Sequence, residues 1–229
     1  SRAKENILEE FRNLVKKGYR EIVLTGICLG SWRGRDKEAL AALIKDIDRE
    51  EGEFRVRLSS VEPNHVDDEL IDTIASARKV CQHLHIPLQS GSDRVLAAMK
   101  RRYNTDQFED LVGRIRERMP RVGITMDIIA GFPGETDEDF EVTKDFVLRT
   151  RPSRLHVFKY SDRKGTKAFD FPDKVPQAVA KKRVAELMKI GNRLQAEFYK
   201  KFIGKNVDVL VETRQKDGIY EGYTAEYAR

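Results

Sequence analysis

Five short runs rich in apolar and β-branched residues alternate with helical patterns along this 229-residue chain, and that alternation restricts its fold more than any other feature. The runs are 21–25, 54–59, 83–86, 123–130 and 154–160, bounded by Gly, Pro, Ser and Asp as strands are. Helical patterns occupy 4–17, 36–49, 66–78, 92–100, 105–118 and 136–149. The first carries Ile7, Phe11, Leu14 and Val15 at helical spacing and ends at Gly18, where a C-cap glycine belongs. Strict strand–helix alternation predicts a parallel sheet with helices on its outer face, because a parallel crossover needs an intervening element. Ile128, Ile129 and Ala130 are apolar in succession, as a strand covered on both faces requires. The predicted fold class is therefore α/β, a partial βα barrel with parallel strands. Five strands are too few for an eight-stranded barrel, and the chain opens on a helix, so a preceding strand is expected to be missing.

The texture changes after Tyr160. Residues 161–167 are turn-rich, Pro172 and Pro176 follow, and a long helix is predicted over 177–203. Val184, Leu187, Met188, Gly191, Leu194, Phe198 and Phe202 trace its apolar stripe. Lys181, Lys182, Arg183, Lys189, Arg193, Lys200, Lys201 and Lys205 face only Glu186 and Glu197 here, so this stretch outweighs the +5 net charge of the whole chain. A phosphate-rich partner would select such a stripe, although on composition alone a solvated helix face is the simpler reading. Residues 206–212 alternate as a strand and 218–223 begin another. The stretch 205–229 is too short to fold alone and reads as the opening of a second domain cut short.

Composition removes several classes. Hydrophobic residues make up 40% of the chain, too many for a disordered polypeptide. No apolar run approaches the roughly 20 residues of a membrane span, and the first residues carry neither Met nor a signal-peptide core, so the chain reads as a soluble, cytoplasmic fragment. Cys28 and Cys81, its two cysteines, make no disulfide framework, no four-cysteine zinc site and no complete iron–sulfur ligand set. His83, His85 and His156 fall on strands, without the helical pairing of a zinc site, and no metal ligands are assigned. His85 is expected to be an interior histidine and Cys28 a small buried side chain. The phosphate-loop lysine motif, G-x-S-x-G and the dinucleotide G-x-G-x-x-G are all lacking, so conventional hydrolase and dehydrogenase readings have no support.

Ligands of parallel sheets bind at the C-terminal ends of the strands. Those ends read Thr25–Gly30, Ser59–Pro63, Pro87–Asp93, Asp127 with Gly131–Thr136, and Tyr160–Thr166, and they concentrate Gly, Ser, Thr and Gln. Any one of these loops is accounted for as a plain turn, with Ser92 or Thr136 capping the next helix. Five on one rim point to a polar ligand approached by backbone. Asp127 lies inside an apolar strand, where an unpaired carboxylate would cost several kcal/mol, so it requires a partner or a ligand. A barrel holding a sugar phosphate at that rim, and a non-catalytic RNA-binding scaffold, both satisfy these observations.

Three segments in order resemble the radical S-adenosylmethionine methylthiotransferases: His85-Ile-Pro-Leu-Gln-Ser-Gly-Ser-Asp93 with Met99-Lys-Arg-Arg-Tyr103, then Asp127-Ile-Ile-Ala-Gly-Phe-Pro-Gly-Glu-Thr136, then Tyr160-Ser-Asp-Arg-Lys-Gly-Thr166. The likeness covers nearly the whole chain. The stretches 24–31, 57–63 and 154–158 resemble most the branch that modifies threonylcarbamoyladenosine next to the tRNA anticodon; the isopentenyladenosine branch is second. The ribosomal-protein branch fits less well, since it carries His where this chain has Ser90, and Asp162 and Lys164 depart from the family's usual Pro or neutral residues.

The resemblance implies a partial (β/α)6 barrel over 1–204 and, over 205–229, the truncated start of the small RNA-binding β-barrel known as TRAM. It implies a four-iron–four-sulfur cluster that binds and reductively cleaves S-adenosylmethionine, a second cluster for sulfur insertion, tRNA (its anticodon stem-loop) as substrate and an electron donor as partner, with neither DNA nor membrane involved. By the same resemblance Thr25 and Gly26 contact the methionine amino end, and Ser60, Gln89 and Arg102 meet the ribose or carboxylate. Asp127 and Gly131 line the cofactor cavity, and Phe158 and Tyr160 border the adenine. The basic residues Lys181, Lys182, Arg183, Lys189, Arg193, Lys200 and Lys201 would face RNA. The family's C-x-x-x-C-x-x-C loop would lie just upstream of Ser1, so the polypeptide as given is expected to be inert although its parent is an enzyme.

Overall fold

In the computed structural model, which describes residues 2–34 and 38–229, helix α1 (Lys4–Lys16) stops where the glycine directs. Gly18 takes φ +87°, its N–H donates to Val15 O at 2.9 Å, and Tyr19 N–H donates to Leu14 O at 3.2 Å. This is a Schellman ending, and it turns the chain into the first strand. The described residues form two compact units, one of Ser1–His85, Arg114–Gly123 and Phe202–Arg229, the other of Ile86–Gly113 and Ile124–Lys201.

In the first unit β1 (Glu21–Leu24) and β2 (Arg55–Leu58) pair in parallel, Leu24 beside Leu58. Parallel bridges join Val56 to Val80 and Ser60 to His85 at the end of β3 (His83–His85). Helices α2 (Leu40–Arg49) and α3 (Asp68–Ser76) pack on each other. Residues 36 and 37 of the expected helix 36–49 lie outside the described residues. Ile47, Val56, Ile71 and Ile74 are fully buried, each contributing about 1.5–3 kcal/mol by leaving water. Phe11 meets Phe54 edge-on at 4.9 Å. The hairpin of β6 (Val209–Arg214) and β7 (Tyr220–Thr224) is antiparallel, with a bulge between Val211 and Thr213. Gly222 is required there, since a Cβ would lie 1.9 Å from Leu210 O.

In the second unit β4 (Gly123–Ala130) pairs in parallel with β5 (Arg154–Lys159), Asp127 beside His156 and Ile129 beside Phe158. The stretch after β3 continues along β4: Ile86 N–H donates to Thr125 O at 2.9 Å, and Gln89 bridges Ile128. Helices α4 (Asp93–Ala98), α5 (Thr105–Arg118) and α6 (Asp137–Thr150) follow the predicted ranges to within about two residues. Helix α7 (Gln177–Lys200) covers β5. Gly191 permits that approach, because a Cβ would stand 3.0 Å from that of Leu155. Met188 departs from the predicted stripe: it is 51% exposed while Leu187 is fully buried. One residue is 100° of helix, and the covered face is centred on Ala180, Leu187, Gly191, Leu194 and Phe198.

Candidate functional site

In the first unit the ends of β1 and β2 lie together, since Ser59 N–H donates to Leu24 O at 2.9 Å. Thr25, Gly26 and Ser60 are exposed on the loops that follow. Ser59 Oγ is buried without a hydrogen-bond partner, an orphan that a polar ligand would satisfy. Thr25 and Gly26 also line a groove of about 660 Å³ with Val23, Ile27, Cys28 and Trp32. The glycine this loop requires is Gly30 rather than Gly26: a Cβ on Gly30 would fall 2.3 Å from that of His65, whereas on Gly26 it would meet ordinary contacts. The expectation of a buried Cys28 is overturned. Leu29 and Gly30 turn inward, and Cys28, just before them, is exposed with Sγ 3.6 Å from His65 Nδ1.

In the second unit Asp127 and Ile129 alternate onto one face of β4, and their register places His156 and Phe158 of β5 beside them. Gln89 sits in the left-handed region at φ +70°, its N–H donating to Asp127 O at 2.7 Å and its carbonyl accepting from Ile129 N–H at 2.9 Å. A non-glycine residue held there is strained, and such strain gathers at functional rims. Gly131, at φ +81°, donates to Glu135 Oε2 at 2.7 Å, and a Cβ on it would lie 2.6 Å from that of Ala180. Its glycine is thus dictated by α7 packing. Tyr160 N–H continues the ladder to Ala130 O, and its ring meets Phe132 edge-on at 5.4 Å. Phe158 is half-exposed in a different hollow, beside α7. Arg102 is exposed, and it is Arg101 that lines the pocket containing Tyr160.

Asp139 ties two of these loops together. It accepts from Ser92 Oγ at 2.7 Å, from Thr136 N–H at 2.8 Å and from Arg94, while Thr136 Oγ accepts from Asp139 N–H in a reciprocal capping box. Burial alone would raise its carboxyl, but Arg94, Thr136 and Ser92 hold it far below the usual carboxylate range. Asp139→Ala is expected to remove about 2–3 kcal/mol of stability in urea unfolding at pH 7. Because the folded pKa is depressed, the wild-type advantage is present above about pH 4 and disappears on further acidification.

The basic residues of α7 divide. Lys181, Lys182, Lys189, Arg193, Lys200 and the adjoining Lys201 are exposed. Arg183 is not: its Nη1 donates to Glu135 Oε2 at 2.7 Å and its Nη2 to Asp137 Oδ1 at 2.7 Å, so its charge is directed inward.

Residues 1–147 match the radical SAM superfamily. The chain belongs to that superfamily. Radical SAM proteins use S-adenosylmethionine and a four-iron–four-sulfur cluster. Along its length the chain is 42% identical over 219 residues to the tRNA-2-methylthio-N(6)-dimethylallyladenosine synthase of Carboxydothermus hydrogenoformans, covering 94% of this chain and 50% of the relative. It is 40% identical over 230 residues to the threonylcarbamoyladenosine tRNA methylthiotransferase MtaB of Thermotoga maritima, covering 100% and 53%. It therefore spans about half the length of these relatives. Among solved structures, coproporphyrinogen III oxidase (HemN) of Escherichia coli superposes with TM-score 0.61 at 17% identity over 83% of this chain and 46% of that one, a likeness of fold.

The residues present suit the nucleoside and not the cluster. In the first unit the strand ends offer the orphaned Ser59 Oγ, and in the second the Gln89 backbone, both of whose groups bond β4, leaves its side-chain amide as the polar group at that rim. A cluster needs three thiolates, and this radical SAM chain has Cys28, exposed beside His65, and Cys81, whose buried thiol is pushed up to about 11. Neither is a cluster ligand here. No helix among the described residues is long and apolar enough to cross a membrane.

Proposed function

We propose that this chain is the radical SAM portion of a tRNA methylthiotransferase, acting on the adenine of threonylcarbamoyladenosine beside the anticodon. What carries the reading is identity near 40% along almost the entire chain to relatives bearing that kind of name. The threonylcarbamoyl branch is preferred for the likeness of residues 24–31, 57–63 and 154–158; isopentenyladenosine is the second reading, favoured by the 42% relative. Residues 1–204 would form the radical SAM core and 205–229 the start of a TRAM-type RNA-binding barrel. The whole protein would work in the cytoplasm with an electron donor, and DNA would not be a partner.

S-adenosylmethionine, when bound, supplies the radical that opens the target C–H bond. By the resemblance each unit would contribute its own residues toward it, Thr25, Gly26 and Ser60 in the first and Gln89, Arg102, Asp127 and Gly131 in the second, with Phe158 and Tyr160 as stacking surfaces. Lys181, Lys182, Lys189, Arg193, Lys200 and Lys201 would meet RNA phosphates, with Arg183 excluded by its inward ion pairs. Mass spectrometry of tRNA nucleosides from cells with and without the whole protein tests the activity. Loss of the methylthio derivative of threonylcarbamoyladenosine is expected; loss of the isopentenyl derivative instead would select the second reading.

A separate measurement addresses the helix. Anticodon stem-loop binding to the chain is expected to weaken steeply with salt, and Lys→Glu at 181, 182, 189 and 200 to weaken it at least about tenfold and flatten the slope. Unchanged binding would return the helix to a solvated face.

A further inference from the structure

A pocket of about 290 Å³ in the second unit lies at the C-terminal end of β4, beside Ile129 and Tyr160. Lys100, Arg101 and Lys167 line it, and no carboxylate does. Lys100 and Lys167 thus line the same pocket, and the positive charge of Lys167 holds Lys100 below the ordinary lysine range. Neither lysine has an acidic partner among the described residues; the nearby Asp162 is taken up by Lys174 at 2.6 Å. Lys100, at φ +58°, is the left-handed residue of the Schellman ending of α4, with its N–H donating to Ala97 O and Arg101 N–H to Leu96 O, both at 2.9 Å. The remaining wall is aromatic, with Phe132 packed edge-on against Tyr160 and Phe171.

Two ammonium groups that line one pocket without a carboxylate in its wall are stabilised by an anion bound there. The aromatic wall suits a planar base. An isopentenyl group would leave both ammonium groups unanswered, whereas a threonylcarbamoyl group carries a carboxylate. We propose that Lys100 and Lys167 form an anion subsite that receives the carboxylate of an amino-acid-modified adenosine and thereby selects it over an apolar N6 substituent. The proposal rests on the tRNA methylthiotransferase reading and names a determinant of its substrate.

The test is a titration of the 229-residue chain, labelled with 13C-lysine, by threonylcarbamoyladenosine, its methyl ester, isopentenyladenosine and inorganic phosphate, followed by NMR. The free acid is expected to bind about tenfold tighter than the ester and to move the Lys100 and Lys167 signals together. Lys167→Gln and Lys100→Gln should each remove roughly that tenfold and leave ester binding unchanged, while Lys167→Arg retains it. Both side chains are exposed, so the variants keep the fold, which thermal unfolding verifies. Equal affinity for acid and ester, or indifference to both Gln variants, would overturn the subsite. Inorganic phosphate moving both lysines as strongly as the acid would identify a backbone-phosphate site and overturn it too. Stem-loop RNA is titrated in parallel: RNA binding without acid–ester discrimination ends only the subsite, while failure to bind either RNA or nucleoside ends the broader reading with it.

Discussion

Arg183→Met is expected to lower the unfolding free energy by about 3–5 kcal/mol, because it strands a buried carboxylate. The Arg183 and Glu135 side chains are 6% and 2% exposed, and their ion pair measures 2.7 Å. Arg183 also donates to Glu135 O at 3.0 Å and lies 5.4 Å over the Phe140 ring. Glu135 Oε2 in turn accepts from Gly131 N–H, so this arginine on α7 holds the turn that ends β4. For a chain of this size the loss corresponds to a fall of roughly 10 °C in Tm. Burial raises the Glu135 carboxyl above its usual range, despite the Gly131 N–H and Arg183 drawing it down. A raised carboxyl stabilises the fold fully below its unfolded pKa and loses that contribution as pH rises through the folded one. Removing Arg183 raises Glu135 further, so the stability of the variant should climb as pH falls from 7 toward about 4. The double variant Arg183→Met, Glu135→Gln should recover part of the loss at pH 7, since no charge remains to be buried. A loss below about 1 kcal/mol at pH 7 would show that the pair contributes little to the fold.

The parallel strands were legible because each is a short apolar run between turn residues, and Ser92 and Thr136 announced their helices by chemistry that acts within three residues. What stayed hidden depends on residues distant in sequence. Composition counts Arg183 as a positive charge on a helix, and only the arrival of Glu135 and Asp137 turns it inward. Cys28 was misplaced because a short turn reverses the burial pattern just after it. Arg101 and Arg102 show the same limit: Lys100 at φ +58° rotates the chain after α4, so neither helical nor strand alternation tells that Arg101 lines the Tyr160 pocket while Arg102 is exposed. Lys167 is 67 residues beyond Lys100 by number, and nothing local signals that they line one pocket. The candidate site was thus readable as a set of loops, while its charged members were not readable one by one.

In the first unit, Arg57→Met is expected to cost about 3–4 kcal/mol and to release the segment after β7. Arg57 is 4% exposed and holds Glu21 through Nε and Nη2 at 2.9 and 3.0 Å. The same guanidinium donates to Thr224 O at 3.1 Å and Ala225 O at 3.2 Å and lies 4.8 Å over the Tyr227 ring, which also stacks with His83 and with Tyr223. Methionine would fill much of the space but remove the Arg57 donor from both carbonyls, leaving Thr224 O with only Tyr227 N–H. Hydrogen exchange reads the release: the amides of Tyr227 and Ala228, which bond to Thr224, should lose roughly a hundredfold in protection. Gly123→Ala should free the same segment with the ion pair intact, since its Cβ would fall 2.0 Å from Glu226 O. The pH dependence separates this pair from Arg183–Glu135. Burial alone would raise the Glu21 carboxyl, but Arg57 and Arg55 hold it below its ordinary range. Its contribution therefore exists above the unfolded carboxylate pKa of about 4.3 and is lost as pH falls through the folded one. For Arg57→Met the gap to wild type closes on acidification because the wild-type curve descends; for Arg183→Met it closes because the variant curve rises. Two urea series between pH 7 and about 4 distinguish the cases, and parallel curves for wild type and Arg57→Met would remove Glu21 as the partner that matters.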